Sequence, residues 1–206
     1  LLASDQPAAL AQHRHNALTQ APALHLRAEQ QRCKHVLIGC TGSIVAGLMA
    51  QTLLSLRFSG FQDQLDVILT NTAGRFLSRD LLEAYGLRCW QDSFEQQDGL
   101  RVPHVALAAG ADLICVLPAG ADSLDRIARS ASSDLLSLTI TASPAPVLLA
   151  PVMNGTMWNN AGVQRNVQRL RDDGRFILEP SMIFGAADFG RDAPPMYGGH
   201  GCLWSG

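Results

Sequence analysis

The chain has 206 residues, 47% hydrophobic and 17% charged, with a formal net charge of -2. That length buries a core in one domain, or one domain with an appendage. The charge balance leaves no basic footprint for nucleic acid. No apolar run approaches the ~20 residues of a membrane span, and no secretion signal is visible.

Residues 1–32, rich in Ala, Gln and His, predict one or two amphipathic helices as an N-terminal extension. His13, His15 and His25 read as solvated helix positions, and no Cys or carboxylate spacing supports a metal site. A strand is predicted over 35–40, and Thr41-Gly42-Ser43 opens a helix to about Leu56. A second strand covers 65–69, followed by Thr70-Asn71-Thr72-Ala73-Gly74 and a helix over 78–85. A short third strand is predicted over 88–90. The strand over 112–117 ends in the loop Pro118-Ala119-Gly120-Ala121-Asp122-Ser123, with one helix after it to about Leu136. A strand over 147–150 leads into Pro151-Val152-Met153-Asn154-Gly155-Thr156-Met157-Trp158, then a helix over 159–173 and a last strand over 176–178. The Gly- and Pro-rich tail, 181–206, reads as a flap.

Continuous apolar strands separated by helices predict a parallel sheet covered on both faces, a doubly wound α/β domain. In such sheets ligands bind beyond the carboxyl ends of the strands. The octapeptide 151–158 falls there. It reads either as a β–α turn whose Met and Trp are core, or as a ligand wall. In the second reading Asn154 offers a donor and an acceptor, and the methionines and indole offer apolar surface.

Gly42-Ser43-Ile44 between the first strand and helix reads either as an ordinary helix start or as a phosphate cradle, and matches neither common nucleotide fingerprint. Thr70, Phe76 and the 118–123 loop fall at further strand ends. Together these predict a crevice for a phosphorylated, flat cofactor such as a flavin nucleotide. His104, just ahead of the 112–117 strand, reads as a half-exposed loop histidine or as a general base. The five cysteines, Cys33, Cys40, Cys89, Cys115 and Cys202, fit no zinc spacing and point to a reduced, cytoplasmic setting.

Over roughly residues 35–190 the chain resembles the homo-oligomeric flavin-containing cysteine decarboxylases. That family includes phosphopantothenoylcysteine decarboxylase and the peptidyl-cysteine decarboxylases of lantibiotic-type peptide biosynthesis. The octapeptide fits the family's Pro-x-Met-Asn-x-x-Met-Trp motif at each defined position. Gly42-Ser43-Ile44 fits its flavin phosphate loop, and Thr70-x-x-Ala73-x-x-Phe76 its second flavin loop. The resemblance implies a flavin-binding, flavodoxin-like α/β domain over 33–180, with FMN, or alternatively FAD, as cofactor. It makes His104 the acid/base residue. Asn154, Met157 and Trp158 then hold the substrate's cysteine end, and Met153 lies near the flavin. It also implies a homo-oligomer, a trimer or dodecamer, with flavin at subunit contacts.

Two departures bear on the activity. The family's Pro-Ala-Ser-Ala-Asn-Thr loop stands here as Pro118-Ala119-Gly120-Ala121-Asp122-Ser123, with a carboxylate in place of an amide. The cysteine that coenzyme A-pathway members carry before a Gly-Asp-x-Gly run is replaced by Ala186 in Ala186-Ala187-Asp188-Phe189-Gly190. The implied activity is therefore oxidative decarboxylation of a C-terminal cysteine in a ribosomally made precursor peptide, giving an aminoenethiol. Phosphopantothenoylcysteine decarboxylation is the alternative, and a non-catalytic flavin-binding subunit is a third reading, which retention of His104 and Asn154 opposes.

Overall fold

The computed structural model describes residues 33–183 and 196–199. Six parallel strands form its centre: β1 (Cys33–Cys40), β2 (Gln62–Leu69), β3 (Arg88–Trp90), β4 (Leu113–Ala119), β5 (Val147–Asn154) and β6 (Phe176–Ile177). Their order is β3-β2-β1-β4-β5-β6, with every pair parallel. The connecting helices are α1 (Met49–Phe58), α2 (Arg79–Ala84), α3 (Pro103–Gly110), α4 (Ala121–Ala128), α5 (Leu135–Ala142), α6 (Gly155–Trp158) and α7 (Ala161–Asp172). The doubly wound α/β architecture expected from the alternation of strands and helices is present.

Strand periodicity explains the two cores. On β1, Val36 and Ile38 enter one apolar cluster, with Val67, Met49 and Leu53. Leu37 between them enters the other, with Ile68, Ile114, Leu136 and Leu149. Successive side chains of a strand point to opposite faces. Both faces are covered, so neither set of positions is polar and the strand reads as an unbroken apolar run. Cys33, Cys89 and Cys115 are free thiols. Burial pushes the Cys89 and Cys115 thiols up to about 12, so both act as small hydrophobes.

Several elements differ from the sequence expectation. After β1 the chain makes a 3₁₀ turn, Ile44–Leu48, before α1, in place of one continuous helix. The single helix expected up to Leu136 is two. Ser130, at φ 53°, lies between α4 and α5, and Asp134 starts α5 with a capping box closed by Ser137. His104 is not on a loop. It is the second residue of α3, whose first residue is Pro103, the position where a missing N–H costs nothing. Asp112 precedes β4, and its Oδ2 accepts from the Lys34 and His35 N–H groups at 2.9 Å each.

The largest difference lies at the octapeptide. Residues 151–154 are not a turn but the second half of β5, and the helix begins at Gly155. The first half of β5 pairs in parallel with β6 at Leu148 and Leu149. The second half pairs antiparallel with β8 (Met196–Gly199), which in turn pairs with β7 (Pro180–Ile183). Strand partners from the Gly-rich tail extend β5 past the point where the local pattern ends. The predicted flap thus contributes two strands. Its remainder, including Ala186, Ala187, Asp188, Phe189, Gly190 and Cys202, lies outside the described residues, as do 1–32 with His13, His15 and His25.

Candidate active site at the carboxyl edge of the sheet

β1 and β4 are neighbours in the sheet, yet the chain leaves them toward opposite sides. A crevice opens at such a switch point. Thr41 ties the two strand ends together. It is fully buried. Its Oγ1 donates to the Pro118 carbonyl at 2.7 Å and accepts from the Gly120 N–H at 3.0 Å. Gly120 then caps α4 with no side chain, so the N–H groups of the first turn are left for other acceptors. Across the crevice, Ser43 caps the 3₁₀ turn, its Oγ accepting from the Val45 N–H at 3.3 Å. A Cβ on Gly42 would sit 2.5 Å from Thr72 Cγ2. Only glycine lets these two turns pack so closely.

These elements line a cavity of about 910 Å³. Gly42, Ser43 and Thr70 form one wall, and Gly120, Ala121, Asp122 and Ser123 a second. Met153, Asn154 and Met157 form the third. Ten of the residues singled out by sequence are therefore brought together. Pro118 and Ala119 are not loop residues but the buried end of β4, and they position the cavity without lining it. Ile44 and Phe76 are half-exposed, at 52% and 45%, and lie outside the cavity wall, as does Trp158. His104 also does not line this cavity. Its Nδ1 is buried and has no hydrogen-bond partner among the described residues.

Asn154 has a fixed orientation. As N-cap of α6 its Oδ1 accepts from the Met157 N–H at 2.8 Å. The acceptor end of the amide is thereby used, which leaves the Nδ2 donors for an anionic group. Asp122, in the first turn of α4, pairs with Arg126 Nε at 2.9 Å.

Sequence reasoning missed part of the wall. Gln91, Asp92 and Ser93 follow β3, and Ser133 and Asp134 come from the α4–α5 connection, with Leu135 the first residue of α5. Their signal was available: each lies just beyond a strand or helix end on the carboxyl side of the sheet. A second hollow of about 510 Å³ shares Asn71, Gln91 and Asp92 with the first and adds Arg79, Phe94 and Glu95. Among the described residues no group of His, Cys, Asp and Glu is arranged to hold a metal ion, and no helix is long and apolar enough to cross a membrane.

The cavity's volume falls in the usual range for a cofactor site of ≈ 300–1,000 Å³. Its donor set combines hydroxyls and two strand-to-helix junctions with the apolar surface of Leu136, Val152 and Met153. That chemistry fits a phosphorylated molecule with a flat ring.

The comparisons agree with this geometry. The family model described as Flavoprotein matches residues 25–196. Mersacidin decarboxylase from Bacillus sp. (strain HIL-Y85/54728) is 34% identical over 153 residues, which cover 73% of this chain and 75% of that protein. The coenzyme A biosynthesis bifunctional protein CoaBC of Haemophilus influenzae is 33% identical over 160 residues. They cover 77% of this chain but only 40% of that protein. Among solved structures, the FMN-dependent cysteine decarboxylase SpaF superposes with a TM-score of 0.68 at 32% identity, covering 80% of this chain and 89% of that one. A family match across most of the chain, and a relative of this identity aligned over three-quarters of its length, lead to one conclusion: the chain belongs to the flavoprotein family.

Proposed function

We propose that this protein is a flavin-dependent peptidyl-cysteine decarboxylase, converting the C-terminal cysteine of a precursor peptide to an aminoenethiol. The observation that carries the reading is the capped Asn154, whose Nδ2 donors, without a partner among the described residues, share one cavity with the Gly42–Ser43 and Gly120–Ser123 junctions. The similarity to mersacidin decarboxylase and to the FMN-dependent SpaF supports both the substrate class and FMN as cofactor, with FAD as the dinucleotide alternative. Gly42, Ser43 and Ile44 would hold the phosphate, and Thr70, Phe76, Met153 and Gly120–Ser123 would contact the rest of the flavin, with Pro118 and Ala119 positioning that wall. A flavin bound there would supply the redox chemistry, as acceptor of the two electrons lost from the cysteine Cβ. Asn154 donates to the α-carboxylate and fixes it, Met157 and Trp158 pack on the cysteine end, and His104 accepts a proton. Only a C-terminal cysteine has a free α-carboxylate to lose.

His104 and the half-exposed Phe76 do not line the cavity of their own protomer. Their roles require a homo-oligomer, a trimer or dodecamer, in which neighbouring chains complete each site. The free thiols of Cys33, Cys89 and Cys115 fit a cytoplasmic setting. The match to CoaBC favours a second reading, decarboxylation of phosphopantothenoylcysteine.

Asn154→Asp tests the assigned role without disturbing the fold. Aspartate caps a helix as well as asparagine does, so stability should change by no more than about 0.5 kcal/mol. A carboxylate in place of the amide donors repels the substrate's carboxylate. Turnover of a synthetic peptide ending in Cys should fall by about 100-fold or more, since like charges in contact cost several kcal/mol. Unchanged turnover would remove Asn154 from carboxylate binding.

A further inference from the structure

Among the described residues, Arg126 is the one cation in the cavity wall, against the three carboxylates of Asp92, Asp122 and Asp134. It stands one helical turn after Asp122 on α4, and its guanidinium points back to the cavity end of that helix. Nε holds Asp122 at 2.9 Å, while Nη1 donates to Ser133 Oγ at 3.0 Å and Asp134 Oδ2 at 3.2 Å. Its two Nη2–H donors make no hydrogen bond among the described residues. Its side chain is 33% exposed, and that of Asp122 is 74% exposed. The charge is therefore reachable, and one of its partners lies open to solvent.

A phosphate monoester carries about -1.5 to -2 charges at neutral pH. Three carboxylates repel it, and a helix amino end offers only about +0.5. We propose that Arg126 is the counter-charge for the phosphate of the flavin nucleotide, and that Asp122 competes with that phosphate for it. The inference rests on the flavin reading. The other anion expected in the cavity is the substrate's α-carboxylate. An arginine clamped on that group would stabilise the charge that has to leave as CO2, so it would hold the ground state at the expense of the reaction. A neutral donor such as Asn154 suits the carboxylate, and the guanidinium suits the phosphate.

Riboflavin lacks the phosphate and so serves as the internal control. The full chain, freed of flavin, is titrated with FMN and with riboflavin by fluorescence quenching. Arg126→Gln is expected to weaken FMN about 10- to 100-fold, the loss of a charge-assisted contact. Riboflavin should change by no more than about two-fold. Arg126→Lys, which keeps the charge and loses the fork, should fall between wild type and Arg126→Gln. Asp122→Asn should raise the FMN-to-riboflavin affinity ratio. Equal losses for both ligands in Arg126→Gln, no loss for either, or an unchanged or lower FMN-to-riboflavin ratio in Asp122→Asn would overturn the assignment. If Arg126→Gln does not fold, the FMN-to-riboflavin affinity ratio of Arg126→Lys decides, an unchanged ratio overturning it. A wild-type chain that binds neither ligand would overturn the flavin reading itself, and this assignment with it.

Discussion

Replacing His104 by Asn should reduce turnover by about 10²- to 10⁴-fold, the contribution of a positioned proton-transfer group, while the protein still binds flavin. The imidazole is held by α3, which Pro103 starts at a position suited to proline. Its Nδ1 is buried and has no hydrogen-bond partner among the described residues. An unsatisfied buried nitrogen is costly in a finished structure, so a partner supplied on assembly or with substrate accounts for it. Asparagine fills similar space and keeps a polar head but cannot carry a proton between groups. The absorbance of bound flavin reports binding, and the rate of peptide conversion reports chemistry. If neighbouring chains complete each site, co-expressing His104→Asn with Asn154→Asp should recover part of the lost turnover, because some sites then hold one intact copy of each residue. Full activity in His104→Asn alone would remove His104 from its role. Loss of flavin together with activity would make it a structural residue.

Asp66→Ala should cost about 3–5 kcal/mol, the loss expected when one partner of a buried ionic group is removed. With domain stabilities of only about 5–15 kcal/mol, this is a large fraction. Asp66 is fully buried on β2. Arg88 on β3 grips it with two hydrogen bonds, at 2.6 and 2.7 Å. His35 on β1 approaches at 2.7 Å, and Gln64 donates at 2.8 Å. Burial pulls the Asp66 carboxyl upward. The hydrogen bonds from His35, Arg88 and Gln64 outweigh this and hold it well below the usual carboxylate range. A group whose carboxyl is depressed in the folded state contributes its stability above the unfolded value, about 4. That contribution is lost as the pH falls further toward the folded value. Urea unfolding from pH 7 down to pH 3 should therefore show a fall in wild-type stability below about pH 4 that is reduced in Asp66→Ala. Identical pH slopes would mean that the network does not depend on the Asp66 charge.

That network shows why some of the molecule was legible and some was not. The apolar strands around Ile38, Val67 and Cys115 announced themselves because a sheet covered on both faces admits no polar alternation. Gly42-Ser43 and Gly120–Ser123 line one cavity because strand-to-helix junctions in a doubly wound sheet converge on one edge, which the sequence pattern reveals. Asp66 sits inside one of those strands, and nothing local says that His35 and Arg88, far apart in sequence, come to neutralise it. The same holds for the second half of β5. Pro151 to Asn154 look like a turn until Met196–Gly199 arrives as a strand partner. Helix α3 was hidden for a different reason. Its glycine end and short length, Pro103–Gly110, resemble a loop, although Pro at the first position and Ala-rich composition are helix signals. The separation of His104 from the cavity had no local signal at all, because it depends on how α3 packs rather than on its own residues.

The reading that a peptide cysteine is decarboxylated with net oxidation can be tested by mass. The purified full chain is incubated with FMN, oxygen and a synthetic peptide ending in Cys, alongside the same peptide extended by one Ala and, separately, phosphopantothenoylcysteine. Peptidyl-cysteine decarboxylation predicts a loss of about 46 Da, CO2 plus two hydrogens, from the Cys-ending peptide and none from the extended one. A loss of about 44 Da from phosphopantothenoylcysteine, with both peptides unchanged, would contradict it.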